Sequence, residues 1–106
     1  MLPKNRVSTH PGEILLEEFL KPLGITQVAF SAHLGIPLQR VNEIIKGHRG
    51  VTPETAWLFA EALGTSAELW LGLQMGHDLT SCQHKRRRHV RPLRMQARRA
   101  RQAAPA

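Results

Sequence analysis

The chain's 106 residues, 42% of them hydrophobic, suffice for one small domain with a helical-bundle core. No apolar run is long enough to span a bilayer and no charged-then-apolar start resembles a secretory signal, while the lone Cys82 excludes an internal disulfide framework and fits a reducing cytoplasm. The net charge of +7 suggests a polyanion partner, but it is unevenly placed, since residues 1–84 carry −2 and residues 85–106 carry +9 with no acid.

Residues 1–9 are polar and read as extended, with Lys4 and Arg6 either near phosphates or simply solvated. His10-Pro11-Gly12-Glu13 starts a first helix, with proline at the first helical position and Glu13 placed to cap the free N–H groups. Ile14, Leu15, Phe19 and Leu20 form its apolar side. Glu17, Glu18 and Lys21 stay in water, with Glu17 and Lys21 spaced for an ion pair. Pro22-Leu23-Gly24 ends it.

Residues 26–47 read as two short helices joined by one tight turn. Thr26 is a good N-cap, and Phe30, Leu34, Ile36, Val41 and Ile44 supply the apolar positions. Ser31 is small where two helix backbones cross, and Gly35 serves a turn that needs φ > 0. That register resembles the helix-turn-helix of phage-repressor-like DNA-binding domains. The second helix, about residues 38–46, turns Val41, Ile44 and Ile45 inward. Leu38, Gln39, Asn42, Glu43 and Lys46 face outward, with Arg40 on a flank. Gln39 and Asn42 can pair bidentately with adenine, and Glu43 can accept from cytosine N4. Lys46 and Arg49 suit phosphates, and Gln27 opens a helix whose N-terminus can meet one. Gly47 is a natural residue just beyond the helix end.

Thr52-Pro53-Glu54 starts a fourth helix, with Ala56, Phe59, Ala60 and Leu63 on its buried side and Gly64 at its end. Leu58 falls off that buried face and is expected to be exposed. Thr65 and Glu68 form a capping box for a fifth helix bearing Leu69, Trp70, Leu71 and Leu73. That apolar surface is wider than one packing stripe and suggests a dimer seam, the alternative being that Trp70 caps the core. The tail beyond residue 84 has nine basic residues and no acid, so disorder is expected, with residues 94–104 able to become helical on a polyanion. It contacts nucleic acid through phosphates or is simply solvated.

The sequence carries no catalytic constellation, no glycine-rich phosphate loop and no cofactor motif. His77, Cys82, His84 and His89 match no structural zinc spacing, and their cationic surroundings disfavour a divalent metal. Cys82 lacks a framework to hold a histidine base against it. An enzyme is not expected.

A closer resemblance covers roughly residues 6–79. Thr9-His10-Pro11-Gly12-Glu13-Ile14-Leu15, Leu23-Gly24-Ile25-Thr26-Gln27, Leu34-Gly35-Ile36, Lys46-Gly47, Thr52-Pro53-Glu54, Ala62-Leu63-Gly64-Thr65-Ser66 and Glu68-Leu69-Trp70-Leu71-Gly72-Leu73-Gln74 together resemble a HigA-type antitoxin. His77-Asp78-Leu79 is similar to the Tyr-Asp-Leu usual in that family. The resemblance implies an all-α, five-helix repressor-like domain in residues 1–84 with a basic tail in 85–106. It implies a cytoplasmic dimer that binds double-stranded operator DNA, represses its own operon and neutralises a RelE-like ribonuclease toxin. The DNA-contacting residues are then Gln27, Leu38, Gln39, Arg40, Asn42, Glu43, Lys46 and Arg49, and the dimer seam is Leu69, Trp70, Leu71 and Leu73. A ribonuclease that grips RNA is basic, so Glu17 and Glu18, with Leu58 as an apolar partner, are the candidate toxin contacts. Pro37 stands where the family usually has a hydroxyl cap, and Leu38 and Glu43 replace commoner polar or basic residues. Those departures leave two rivals, a free-standing phage-type regulator and a protein-interaction module that has lost DNA binding.

Overall fold

The computed structural model describes residues 7–93, and within them all regular structure is helical. The first helix, α1, consists of three consecutive segments, Pro11–Ile14, Leu15–Leu20 and Lys21–Leu23. Its middle segment is a wide π-type turn in which Lys21 N–H bonds to the Leu16 carbonyl. It ends at Leu20, two positions before Pro22, which has no N–H with which to continue an α-helical ladder. The other helices are α2 (Gln27–Leu34), α3 (Leu38–Ile45), α4 (Pro53–Leu63) and α5 (Ala67–Lys85).

Local chemistry explains the boundaries. Thr26, Thr52 and Ser66 each accept a backbone N–H with their hydroxyls at the starts of α2, α4 and α5. Gly35 closes α2 with φ 73°, the left-handed conformation expected of the turn. Two caps differ from expectation. The α5 cap is Ser66 rather than Thr65, whose hydroxyl accepts instead from the Trp70 indole N–H at 2.8 Å. At α1 the cap is the His10 imidazole, whose Nδ1 accepts from Gly12 N–H at 2.9 Å, while Glu13 stays exposed.

An aromatic series holds the bundle together. Phe30 of α2 lies 5.6 Å from Phe59 of α4, Phe59 lies 5.2 Å from Trp70 of α5, and Trp70 lies 5.4 Å from Phe19 of α1. Leu15, Leu20, Val41, Ile44, Val51 and Ala56 fill the space around them. Trp70 is fully buried, so its place in the expected seam is corrected: its indole spans the core and is not available to a partner. Leu58 is also corrected. It is half-buried, and the neighbouring Trp57 is the exposed apolar residue of α4, at 61%.

Gly12 sets the attitude of the second motif helix. A Cβ there would sit 1.8 Å from the Ile44 carbonyl oxygen, so α1 crosses α3 backbone against backbone. Any larger residue would push the two helices apart.

Candidate nucleic-acid interface

The two-helix motif is α2 and α3, and α3 carries a polar outward side. Val41 and Ile44 are fully buried and Ile45 is half-covered, which leaves Leu38, Gln39 and Lys46 exposed and Asn42 and Glu43 half-exposed. Pro37 caps α3 without a side-chain bond, as the missing hydroxyl requires. Leu38, at 43% exposure, is an exposed apolar side chain at the leading end of the helix.

Hydrogen bonds within the chain order this surface. Asn42 donates from Nδ2 to Gln27 Oε1 at 3.1 Å, which ties α3 to the first residue of α2. Glu43 accepts from Arg49 Nε at 2.9 Å and from Gln39 Nε2 at 3.3 Å. The hydrogen bond from Arg49 holds the Glu43 carboxyl below the usual carboxylate range, with the nearby charges of Arg49 and His48 and the Gln39 bond acting in the same sense. Arg40 turns to the flank, 4.0 Å from Glu54 at the start of α4. Lys46 makes no ion pair among the described residues. The eight expected contact residues therefore lie on α3, at the start of α2 and in the loop after α3.

That loop is held from a distance. Gln74 of α5 accepts from Val51 N–H at 2.7 Å and donates to Asp78 at 2.9 Å. Its side chain packs so closely on Gly50 that an added Cβ would lie 3.1 Å away. The His10 ring lies beneath Gly47, 3.9 Å from where a Cβ would be. Sequence reasoning assigns no role to Gln74 or to the His10 ring, because neither is near the motif in the chain.

The other expected sites are separate. Glu17 and Glu18 are exposed on α1, and Glu17 pairs with Lys21 at 2.8 Å. On α5, Leu71 and Leu73 are partly buried against the core, while Leu69, Met75 and Leu79 are exposed at 40%, 59% and 49%. At 100° per residue Leu69, Gly72, Met75, Gly76 and Leu79 share about a third of the helix circumference, away from Trp70. A groove of about 490 Å³ runs along Gly72, Leu73 and Gly76 beneath Val7, Ser8 and Thr9. Both backbone groups of Ser8 are fixed there, its N–H on Thr80 Oγ1 and its carbonyl by His77 Nδ1, each at 2.8 Å. Residues 86–93 are non-helical and exposed, and the helix expected over 94–104 lies outside the described residues.

The helix-turn-helix family profile matches residues 16–70. Virulence-associated protein I of Dichelobacter nodosus is 43% identical over 70 residues, 66% of this chain and 65% of that protein. Antitoxin HigA-1 of Vibrio cholerae is 42% identical over 69 residues, 64% of each. The chain thus spans slightly less than two thirds of the length of these curated relatives. Among solved structures, an addiction module antidote protein of the HigA family from Coxiella burnetii superposes with a TM-score of 0.71 at 38% identity, covering 76% of this chain and 87% of that one. The Pseudomonas aeruginosa antitoxin HigA, solved with the higBA promoter, superposes with a TM-score of 0.73 at 30% identity, covering 81% and 98%. Matched over residues 16–70 by the family model and superposing along most of its length on HigA structures, the chain belongs to the helix-turn-helix family and, within it, to the HigA-type antitoxins.

Proposed function

We propose that this chain is a DNA-binding antitoxin that seats α3 in the major groove of its operator as a dimer, represses its own operon and neutralises a RelE-like ribonuclease toxin. The observation that carries the DNA reading is the ordered outward side of α3, where Gln39, Asn42 and Lys46 stand over the buried Val41 and Ile44. Gln39→Ala is expected to cost roughly 1–3 kcal/mol on the operator and little on random DNA. Lys46→Ala weakens both alike, because a phosphate contact carries no sequence information. Equal losses for the two variants on both DNAs would remove Gln39 from the readers.

The toxin contact rests on charge. A protein that grips RNA presents cations, so an acidic surface suits it and a basic tail does not. Glu18 on α1 makes no ion pair among the described residues, while Glu17 shares its charge with Lys21. On α4, Trp57 offers the apolar anchor expected of Leu58, with Glu54 and Glu61 one turn to either side. Reversing Glu17 and Glu18 to lysine should slow association with a cognate RelE-like toxin, and Trp57→Ala should speed its dissociation. Unchanged neutralisation in both would place the contact at the termini. A basic tail in residues 85–106 completes the proposed organisation and adds phosphate contacts.

A further inference from the structure

The outward side of α3 contains one acid, Glu43, and an acid facing a phosphate-lined groove opposes binding. Its two oxygens are engaged with side chains that are themselves candidate DNA contacts. Oε1 accepts from Arg49 Nε at 2.9 Å, and Oε2 accepts from Gln39 Nε2 at 3.3 Å. The Arg49 contact uses only Nε, so both terminal guanidinium nitrogens remain available to a phosphate. The Gln39 contact uses one amide hydrogen and leaves the carbonyl and the second hydrogen for a base edge. Gln74 meanwhile fixes the loop that carries Arg49 through the Val51 N–H.

We infer, resting on the DNA-binding reading, that Glu43 is a positioning and specificity residue rather than a base reader. It holds Gln39 and Arg49 in the geometry that a correct site requires. Its negative charge also cancels that of Arg49, leaving Lys46 as the unpaired cation at this end of α3 among the described residues and weakening attachment to arbitrary DNA. Selectivity is the ratio of the two affinities, so a device that lowers the non-specific one raises it.

The test compares full-length wild type, Glu43→Gln and Glu43→Asp on two probes. One is a random-sequence duplex, and the other is a duplex enriched from a random library by the wild-type protein. Glu43→Gln frees the Arg49 charge, so it should bind the random duplex several-fold tighter. Its log–log salt slope should grow by up to about 0.9, one extra phosphate neutralised. The ratio of enriched to random affinity should fall about tenfold as Gln39 loses its fixed geometry. Glu43→Asp keeps the charge but shortens the reach, so it should leave random-duplex affinity at the wild-type level while still lowering the ratio. Unchanged random affinity and slope in Glu43→Gln would overturn the proposal. So would a loss confined to enriched duplexes with one particular C·G pair, which would make Glu43 a direct reader of cytosine. If the wild type enriches no duplex, the sequence-specific reading fails first, an outcome distinct from failure of Glu43 within it.

Discussion

The Trp70 indole N–H donates to the Thr65 hydroxyl at 2.8 Å, joining the turn before α5 to the centre of the core. Trp70 has no exposed surface, so its only polar side-chain atom depends on this one acceptor. Thr65→Val keeps the shape and removes the acceptor, which should cost about 1–3 kcal/mol in urea unfolding. Thr65→Ser should recover most of that stability. Equal stability of the valine variant would mean that water or another group satisfies the indole.

The surroundings of His10 should make stability depend on pH. The His10 cap needs an unprotonated Nδ1, and the two rings meet edge to face with centroids 4.8 Å apart. Burial and then the neighbouring His77 lower the proton affinity of His10, while Asp78 opposes them. The folded state therefore binds this proton less readily than the unfolded chain, where the value is 6.5. The stabilisation is complete above the unfolded value and is lost as pH falls through 6.5 toward the lowered folded value. His10→Asn retains a capping oxygen and does not titrate. Melting of the two proteins between about pH 7.5 and 5.5 should show a steeper decline for wild type than for the variant. Parallel curves would exclude His10 as the source.

The seam proposed for the dimer moves around α5 once Trp70 is placed in the core. Leu69 and Met75 are exposed and flank Gly72, so a charge at either should leave the fold intact. Leu69→Glu and Met75→Glu should give folded monomers by light scattering and weaken operator binding, because two half-sites about 34–36 Å apart need both protomers. Dimers that persist in both variants would move the seam off this face.

Much of this architecture is readable in the chain because its signals are local. Thr26, Gly35, Thr52 with Pro53, and Gly64 act through their own backbone neighbours, so the helix limits they imply need no tertiary knowledge. The inward set of α3 is readable for the same reason, since Val41 and Ile44 follow helical period. Features that depend on distant partners are not. Gly12 is small because α1 crosses Ile44, and Gln74 matters because Val51, 23 residues away, needs an acceptor. Trp70 sits on a broad apolar helix, and periodicity alone cannot say whether the core or a partner covers it. Thr65 and Ser66 are adjacent hydroxyls, and only the position of the indole decides which of them caps α5.

On the DNA-binding reading, residues 1–84 approach DNA with a charge handicap that the tail is suited to offset. Residues 1–84 sum to −2, and Glu43 and Glu54 further occupy Arg49 and Arg40. α5 ends at Lys85, and residues 86–106 hold eight arginines and no acid. Such a segment supplies long-range attraction and phosphate contacts that carry no sequence information. Truncation after Lys85 leaves α5 whole and should lower the slope of log affinity against log salt by about 0.9 for each phosphate that the tail neutralises. Operator and random DNA should weaken by similar factors, leaving their ratio nearly intact. A salt titration of full-length and truncated protein on both DNAs measures this. An unchanged slope would mean that the tail never touches phosphate. A collapse of the operator-to-random ratio would assign the tail to sequence reading in a groove and take that task away from α3 alone.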